Sequence, residues 1–394
     1  MINILDKKDC CGCSACMNIC SRHCIRMKSD DEGFSYPQIS DSECINCGLC
    51  EKVCPVIKAK DFTPFNEYKR GYMFQNSNMQ ELKESTSGGF FSALARYVLS
   101  KGGVVFGAAF DQNFHIRHKY IESVNELHIF RNSKYIQSEI GDSYSYCRDF
   151  LKDGRLVCFS GTPCQIAGLK SFLRKQYDNL ITVDVICRGV PSLKVFEKYM
   201  EYLGGIDNIS KVLFRDKFYG YYSSTFSILY KDGRSKRRDV RTAPMLNFFF
   251  QDLCSRPSCY HCPFKTIDRV SDFTMFDCWH AVKYSALFDA RGVTGVIVRN
   301  ENIEKLMHMI CVGNKSERAS VEQLVNDDGF MMTACVKKTR KRQEFFNDIK
   351  YMEFGDVIKK YEKNTISKIL KDILKTVLIK TRLFDKVMYR RMMR

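Results

Sequence analysis

The chain of 394 residues is 45% hydrophobic and 27% charged, a globular mixture that excludes a disordered tail protein, a collagen-like fibre and a disulfide miniprotein. Its two unusual numbers are 20 cysteines and a net charge of +17. The opening MINILDKKDC lacks the features of a signal peptide, and no stretch approaches the ~18 apolar residues of a membrane-spanning helix. We therefore expect a cytoplasmic chain whose thiols hold metal rather than disulfides.

The first predicted unit is a cysteine-dense module over residues 1–60. Its two runs, CCGCSACMNIC at 10–20 and CINCGLCEKVC at 44–54, share C-x2-C-x2-C-x3-C spacing. That spacing, present twice, is the two-cluster ferredoxin signature, in which the fourth cysteine of each run ligates the other 4Fe–4S cluster. The predicted ligands are Cys10, Cys13, Cys16 and Cys54 for cluster 1, and Cys44, Cys47, Cys50 and Cys20 for cluster 2.

A zinc module is the alternative for these runs, since C-x2-C pairs also suit zinc, but two complete four-cysteine runs favour iron–sulfur. Ser21 follows Cys20 where the second run has a proline, which supplies no ligand, so we expect the cluster to form. Cys11 and Cys24 are surplus, and no role is assigned to them. The segment EGFSYPQIS (32–40) is predicted to form a hairpin between the runs.

A linker around residues 58–68 leads into an alternating α/β region, predicted over residues 66–345. The apolar face of its first predicted helix consists of Phe90, Phe91, Leu94, Ala95 and Val98. The small residues at the start of that helix are Ser87, Gly88 and Gly89. Exposed amides and small side chains at a helix N-terminus suit a phosphate group, and a plain N-cap is the alternative.

Two consecutive β-α units follow in the sequence. A strand at 156–159 leads through a Gly-Thr-Pro-Cys turn into a helix, and a strand at 181–186 leads through Arg-Gly-Val-Pro-Ser into another. Strands joined by a crossover helix are parallel, so both turns should emerge at one sheet edge, where open α/β sheets hold ligands. That edge carries Cys164 and Cys187. A short strand at 272–276 is expected to bring Asp277 to it as well.

Four further cysteines lie between residues 254 and 278. Cys259 and Cys262 have C-x2-C spacing, and with Cys164 and Cys187 they make four thiolates, enough for a third 4Fe–4S cluster. A zinc knuckle is the alternative. Its ligands would be Cys254, Cys259, Cys262 and either His261 or Cys278, and spacing alone does not separate the two.

From about residue 5 to about residue 300, the chain resembles the coenzyme F-420 hydrogenase/dehydrogenase beta subunit family. The resemblance rests on five ordered motifs, SKYIQS (133–138), FSGTPCQIAGLK (159–170), VDVICRGVPS (183–192), FRDKFYG (214–220) and RPSCYHCPFK (256–265). STSGG and SDFTMFDCW support it.

The resemblance implies a flavoprotein that passes electrons between iron–sulfur clusters and FAD, and then exchanges hydride with a partner molecule. In methanogens that partner is the deazaflavin coenzyme. Plant and bacterial relatives reduce other substrates, including a chlorophyll intermediate, and some bacterial relatives occur with surface-polysaccharide genes. The family's cysteine pattern also favours Cys164, Cys187, Cys259 and Cys262 as ligands of the third cluster.

The chain departs from the family pattern in two places. It has Cys-Arg-Gly at 187–189 where the family has Cys-His-Gly, and Phe-Asp-Cys-Trp-His at 276–280 where the family has Gly-Asp-x-Trp-Gly. The predicted flavin site consists of Ser87, Gly88, Gly89, Thr162, Arg188 and Asp277. If the flavin needs the two replaced glycines for backbone approach, that site is altered or lost. The departures indicate a divergent bacterial member of the family.

The last predicted unit, residues 346–394, is a basic amphipathic helical tail. Residues 359–394 alone carry a net charge of +9. The apolar stripe consists of Ile366, Ile369, Leu370, Ile373, Leu374, Val377 and Leu378, and opposite it lie Lys368, Lys371 and Lys375. Such a helix can lie on an anionic membrane surface at the inner face of the membrane, or pack on the body with a solvated basic face. Nucleic acid is a weaker partner, because charge alone is unspecific.

The sequence thus predicts an α+β ferredoxin-like module, an α/β flavoprotein-type domain and a C-terminal helical tail. The predicted function is an iron–sulfur flavoprotein oxidoreductase with two 4Fe–4S clusters, a third cluster and FAD. Its partner would be a redox protein or a small-molecule hydride carrier, such as the deazaflavin coenzyme or a glycan-pathway substrate. An electron-carrier subunit without a substrate site and a zinc-stabilised interaction protein are the alternatives.

Overall fold

The computed structural model describes residues 2–59, 67–362 and 366–393, with side chains for all of them except 366–369. Most of the predicted linker at 58–68 lies outside the described residues. The side chains of Ile366 and Ile369, from the predicted apolar stripe of the tail, also lie outside the described residues. The same holds for the side chain of Lys368, from its predicted basic face.

The N-terminal module is made of short helices around an antiparallel hairpin. Its elements are α1 (Ala15–Ile19), β1 (Ile25–Ser29), β2 (Ser35–Ile39), α2 (Leu49–Lys52) and α3 (Pro55–Lys58). The hairpin predicted between the cysteine runs is confirmed, and its first strand begins before the predicted segment, with Ile25 opposite Ile39. A short helix lies near the end of each cysteine run, α1 in the first run and α2 in the second. The hairpin lies between the two runs and connects them.

The first half of the body alternates strands and helices. Its elements are β3 (Arg70–Gln75), α4 (Met79–Glu84), α5 (Phe90–Ser100), β4 (Val104–Phe110), β5 (Ile116–Ile121), α6 (Ser143–Lys152), β6 (Val157–Gly161), α7 (Pro163–Leu173), β7 (Leu180–Val185) and α8 (Leu193–Tyr202). Helix α5 has the predicted apolar face, with Phe90, Leu94 and Val98 buried and Phe91 at its half-buried margin. Pro163 starts α7, which Thr162 and Gln165 close with a capping box.

The second half contains a small sheet and the remaining strands of the large one. Its elements are β8 (Ile209–Asp216), β9 (Thr225–Tyr230), β10 (Ser235–Asp239), α9 (Pro244–Phe250), β11 (Phe273–Asp277), α10 (Ala281–Tyr284), β12 (Thr294–Val298), α11 (Glu301–Cys311), β13 (Lys315–Ala319) and α12 (Val321–Asp327). Strands β8, β9 and β10 form an antiparallel sheet that the sequence did not predict.

The large sheet has eight strands in the order β13-β3-β12-β11-β7-β6-β4-β5. Four adjacent strands, β11, β7, β6 and β4, run parallel, and the strands on either side of them pair antiparallel. Along β4, Val104 and Phe106 enter one core while Val105 and Ala109 enter another, because successive residues face opposite sides of a sheet. Both predicted β-α units are present, so the ends of β6, β7 and β11 meet at one edge.

Four helices follow the sheets: α13 (Arg342–Tyr351), α14 (Phe354–Tyr361), α15 (Ile366–Lys380) and α16 (Leu383–Met392). Helices α13 and α14 bury Phe345, Ile349 and Val357 in a core with α8 and the small sheet. The boundary predicted between residues 345 and 346 therefore falls inside α13. Across residues 2–59, 67–362 and 366–393, no helix is both long and apolar enough to cross a membrane.

A buried guanidinium, that of Arg256, is one of the groups that dock the module on the body, together with the ion pair between Arg342 and Glu32. Arg256, fully buried, donates from Nε to the carbonyl of Cys10 (2.9 Å), from Nη1 to Gln137 Oε1 (3.0 Å) and from Nη2 to the carbonyl of Ser35 (2.9 Å). Its guanidinium carbon also lies 4.4 Å from the ring centre of Tyr36. One side chain thus joins the first cysteine run and the hairpin to the body.

We expect Arg256→Lys to lower the free energy of unfolding by about 3 kcal/mol, because an ammonium group cannot reproduce three buried hydrogen bonds in a planar fork. Chemical denaturation of the anaerobically purified protein measures the change. Arg234→Lys is the control, since Arg234 is exposed and pairs only with its neighbour Asp232. Equal stabilities for the two variants would contradict this role of Arg256.

Candidate iron–sulfur and redox site

The four cysteines predicted for cluster 1 line one cavity. Cys10, Cys13, Cys16 and Cys54 surround it, together with Cys11. The loop can curl this tightly because Gly12 and Ser14 both have left-handed backbone (φ +69° and +61°). A Cβ on Gly12 would also lie 2.8 Å from Gln137 Nε2, so only glycine fits. The structure therefore brings the first run and the last cysteine of the second run together.

Two of the cysteines predicted for cluster 2, Cys20 and Cys44, lie beside Cys24. The Cys24 thiol lies 3.3 Å from Cys20 Sγ and hydrogen-bonds with Cys44. Cys50 Sγ accepts the backbone N–H of Ile2 (3.2 Å), and Cys47 is exposed. The structure thus joins Cys20 to Cys44 through a thiol to which the sequence gave no role.

A second cavity lies at the sheet edge and is lined by the four cysteines predicted for a third cluster, Cys164, Cys187, Cys259 and Cys262. Cys164 comes from the start of α7 and Cys187 from the turn after β7, as the parallel strands predicted. Cys259 and Cys262 come from a short 3-10 helix that begins just after Arg256. One of the residues that dock the module therefore also places the C-x2-C pair.

The four cysteines of the sheet-edge cavity are half-buried, and their thiols lie close together. Burial and the neighbouring Cys164 raise the pKa of Cys187 to about 11, and burial with the same neighbour raises the pKa of Cys262 to about 12. Lys265 lies beside them and donates to the carbonyls of Cys187 (2.5 Å) and Met331 (2.7 Å). Four converging sulfur donors have the chemistry that a 4Fe–4S cluster requires.

The alternative zinc-knuckle residues do not converge. Cys254 is buried in the core that contains α9 and α13, whereas Cys278 is buried in a different core near Asp328. His261 is exposed. In the part of the chain that the structure describes, no three His, Cys, Asp or Glu side chains are arranged to hold a single metal ion. A cluster of four irons spreads its thiolates more widely than one ion does.

Cys11 joins the two cavities. It lines both of them, and its thiol hydrogen-bonds with those of Cys13 and Cys164. The sequence carried one signal for this position, the doublet Cys10-Cys11 at the head of the first run. That signal was insufficient, because the spacing rule needs only one of the two thiols and Cys164 is distant in sequence.

The residues predicted for a flavin separate into two groups. Thr162 and Arg188 lie at the sheet-edge cavity, where the Thr162 hydroxyl is 3.1 Å from Cys164 Sγ. Arg188 pairs with Asp252 (2.6 Å) and lies over the rings of Phe249 and Phe250. The second group, Asp277 and the turn at 87–89, contacts other parts of the protein and does not line this cavity.

The turn at 87–89 is packed into the sheet. The N–H of Gly88, expected to face a phosphate, donates instead to Thr294 Oγ1 (2.9 Å), and Ser87 Oγ donates to the carbonyl of Val293 (2.5 Å). A Cβ on Gly88 would lie 2.2 Å from the carbonyl oxygen of Phe74. Gly88 is therefore required by close packing, and Gly89 supplies the left-handed entry to α5 (φ +78°).

Asp277 lies in a cluster of charged and aromatic residues, and the sequence analysis did not predict the other members of this cluster. Its carboxylate pairs with Arg215 (3.1 Å) and accepts the Tyr221 hydroxyl (3.3 Å), while Tyr221 stacks on Trp279 at 4.5 Å between ring centres. Arg215 Nη2 is buried without a hydrogen-bond partner in the structure. The signal was the FRDKFYG motif, whose Arg215 and Lys217 carry the cationic groups of the cluster.

The two bulky replacements are accommodated within the protein. The Phe276 ring packs against Gly295, where a Cβ would lie 2.7 Å from it. His280 Nδ1 lies 2.9 Å from Asp328 Oδ1. Each side chain thus has its own partner.

The SKYIQS segment (133–138) extends between the two groups. The Tyr135 hydroxyl accepts from Arg215 Nη1 (3.2 Å) beside Asp277, and the Tyr135 ring contacts those of Phe249 and Phe250. Two residues later, Gln137 Nε2 donates to the carbonyl of Cys11 (2.9 Å). The segment therefore links the Asp277 cluster with the thiols.

Comparison with known proteins gives the following matches. Residues 154–326 match the profile for the C terminus of the coenzyme F-420 hydrogenase/dehydrogenase beta subunit, and residues 9–57 match that of the 4Fe-4S dicluster domain. No curated protein matches the chain. A solved structure of the xenon-derivatised F-420-reducing NiFe hydrogenase complex from Methanosarcina barkeri contains a chain 14% identical to this one, with 77% of this chain and 94% of that chain covered at a TM-score of 0.45.

The two profile matches agree with the resemblance that the five motifs carry, and the dicluster match spans both cysteine runs. Residues 154–326 are therefore a domain similar to the C terminus of the coenzyme F-420 hydrogenase/dehydrogenase beta subunit, and residues 9–57 are a 4Fe-4S dicluster domain.

Proposed function

We propose that the protein is an iron–sulfur flavoprotein oxidoreductase in which electrons pass between three 4Fe–4S clusters and a flavin. Its two matched domains make it an iron–sulfur electron-transfer subunit related to the hydrogenase beta subunit. The observation that carries the finer proposal is the convergence of Cys164, Cys187, Cys259 and Cys262 on one cavity that shares Cys11 with the first.

The proposed path for electrons begins at the two clusters of the module. Cluster 1 would be held by the cysteines around the first cavity, and cluster 2 by Cys44, Cys47, Cys50 and Cys20. The path to the third cluster is short, because the Cys11 thiol hydrogen-bonds with a proposed ligand of cluster 1 and with one of cluster 3, Cys13 and Cys164. Lys265 and the buried Arg269 near the third cavity offset the charge of its thiolates.

We place the flavin at the Asp277 cluster, close to Ser87. The donor chemistry fits, since the buried Arg215 Nη2 has no partner in the structure and would donate to a flavin carbonyl or phosphate oxygen. The Tyr221–Trp279 stack offers an aromatic face beside it. A bound flavin accepts single electrons and delivers a hydride pair. Asp277 would hold Arg215 in position, and Thr162 and Arg188 would lie between the third cluster and this site.

The partner would be a redox protein or a small-molecule hydride carrier. An electron carrier without its own substrate site is the second candidate function, and the cluster cysteines serve it equally well. Anaerobic purification with iron, acid-labile sulfide, zinc and flavin quantified together separates the candidates. Stoichiometric flavin supports the flavoprotein, its absence supports the carrier, and zinc without iron or sulfide would overturn both.

For the third cluster, we expect Cys164→Ser to lose about four of roughly twelve iron atoms, because one cube loses a ligand. Iron and sulfide analysis of the anaerobically purified variant measures the loss. Cys158→Ala is the control, since Cys158 is buried in β6 and faces the core on the opposite side of the sheet. Unchanged iron in Cys164→Ser would show that Cys164 is not a ligand.

For the flavin, we expect Arg215→Met to reduce bound flavin at least tenfold while the iron content stays unchanged, because a charge-assisted hydrogen bond is worth about 1.5–3 kcal/mol. Absorbance of released flavin and iron analysis are measured on the same preparation. Arg117→Met serves as the control, since Arg117 is half-exposed and pairs with Asp111 and Glu139 away from the cluster. Full flavin in Arg215→Met would place the flavin elsewhere.

We also propose that α15 rests on an anionic membrane surface. Its residues Leu370, Ile373, Leu374 and Val377 are each more than half exposed. Lys375 faces the body instead and pairs with Asp239 (2.7 Å), so the apolar side of the helix points outward. The charge of +9 in residues 359–394 favours an anionic bilayer over a neutral partner.

Leu374→Glu should weaken binding of the full chain to phosphatidylcholine/phosphatidylserine vesicles at least tenfold, because it removes a leucine that contributes about 1.5–3 kcal/mol on burial. Co-sedimentation measures the partition. Thr376→Glu changes the charge equally on an exposed position of the same helix and should weaken binding much less. Equal binding by Leu374→Glu and Thr376→Glu would exclude insertion of the apolar face.

A further inference from the structure

The connection between β8 and β9 holds a carboxylate from the C-terminal tail. The backbone N–H groups of Tyr222 and Ser223 both donate to Asp385 Oδ1 in α16, at 2.6 and 3.2 Å. Two successive amides that point at one oxygen form an anion-binding concavity, here called the 220–223 nest. The carboxylate is provided by the chain itself, so the structure shows directly that the nest accepts an anion.

Two features of the nest suit it to an anion larger than a side chain. Gly220 has φ +119°, and a Cβ there would lie 2.3 Å from Asp385 Cγ, so only glycine lets an anionic group approach. The ammonium of Lys217 lies close enough to attract Asp385, and the carbonyls of Leu82, Ser87 and Arg291 hold it in place at 2.6–2.8 Å. The nest therefore combines directed amides with a nearby lysine, whose pKa burial lowers to about 7.

The nest adjoins the Asp277 cluster. Tyr221, between Gly220 and Tyr222, donates to Asp277 and stacks on Trp279. The Tyr222 hydroxyl donates to the carbonyl of Trp279 (3.3 Å). An anionic group in the nest would thus belong to a molecule whose body can reach the Asp277 cluster.

Apart from this contact, helix α16 packs on the body through partly buried side chains, among them Tyr389 and Met392. Within Leu383–Met392 no residue is fully buried, and Leu383 and Val387 are about half exposed (48% and 54%). Tyr389 meets the Tyr222 ring at 6.4 Å between centres. An element with so little buried surface can separate from the body at low cost, because such elements open with the smallest free energies.

We propose that the 220–223 nest binds a phosphate group of the ligand of the Asp277 cluster, and that Asp385 occupies the nest when that ligand is absent. The identity of the ligand as the flavin rests on the proposed function, whereas the nest itself does not. A phosphate would accept the same two amide hydrogens that Asp385 now accepts. The tail then acts as an internal competitor that leaves when the ligand enters.

Competition between Asp385 and an added anion for the nest would lower the measured affinity for that anion. If the nest is open in about one molecule in ten, the apparent affinity for an anion is about tenfold below the intrinsic affinity. Removing the Asp385 carboxylate should restore that factor. Asp372→Ala is the matched control, because it removes one negative charge from the same tail without touching the nest.

The test measures inorganic pyrophosphate binding to the full chain by calorimetry at constant ionic strength. Asp385→Ala should bind about tenfold more tightly than the wild type and Asp372→Ala. A second substitution, Gly220→Ala, in the Asp385→Ala background should abolish binding. A chain that ends at Arg382 should behave like Asp385→Ala, which keeps the test valid if the point variants fold poorly.

Hydrogen exchange gives the second readout. Pyrophosphate should increase deuterium uptake in residues 383–392 of the wild-type chain, and sodium chloride at matched ionic strength should not. Equal affinity in Asp385→Ala and Asp372→Ala, or unchanged uptake in 383–392, would overturn the proposal. Failure of the flavoprotein proposal is seen separately, as absence of flavin in a protein whose nest still binds pyrophosphate.

Discussion

The arrangement of the redox site depends on the buried guanidinium of Arg256. A buried charge is tolerated only when its hydrogen bonds are satisfied, and here they are made to the Cys10 and Ser35 carbonyls and to Gln137. These partners belong to the first cysteine run, the hairpin and the SKYIQS segment. Because Arg256 also precedes the Cys259–Cys262 pair, it links the position of the module to that of the sheet-edge thiols.

The parallel strands supply the second constraint. A one-residue change of register in β6 or β7 would turn the side chains to the other face. That register is well defined at the site, because the buried Asp184 of β7 pairs with Arg269 (3.1 Å) and accepts the hydroxyls of Ser271 and Thr274. Arg269 also lines the sheet-edge cavity. The sheet and the thiol site are therefore specified by the same buried ion pair.

Much of this arrangement could be predicted from the sequence, because the signals were local. The cysteine runs, the hairpin and the two β-α units each depend on spacing or periodicity within about 25 residues. The positions of Cys11, Arg215 and Asp385 could not be predicted in this way. Each acts through a partner distant in the chain, Cys164, Asp277 and the amides at 222–223 respectively. Only the folded chain shows these pairings.

The small sheet was missed for a related reason. Strand β10 has charged and half-exposed positions instead of a buried run, so it lacks an apolar alternation that would predict a strand. Its residue Asp239 nevertheless receives Lys375 from α15, and the connection between β8 and β9 receives Asp385 from α16. The sheet that was hardest to predict is thus the surface on which the tail docks.

The charge of the tail has more than one consequence because of this docking. The net charge of +9 would attract an anionic surface, yet one of the three acidic residues in 359–394, Asp385, makes the contact closest to the Asp277 cluster. In α16, the Asp385 carboxylate points toward the body and accepts the N–H groups of Tyr222 and Ser223, so this carboxylate helps to hold the helix on the body. Whatever removes the tail from the body therefore also opens the nest, so the proposed membrane contact of α15 and the proposed ligand site are coupled through a single covalent segment.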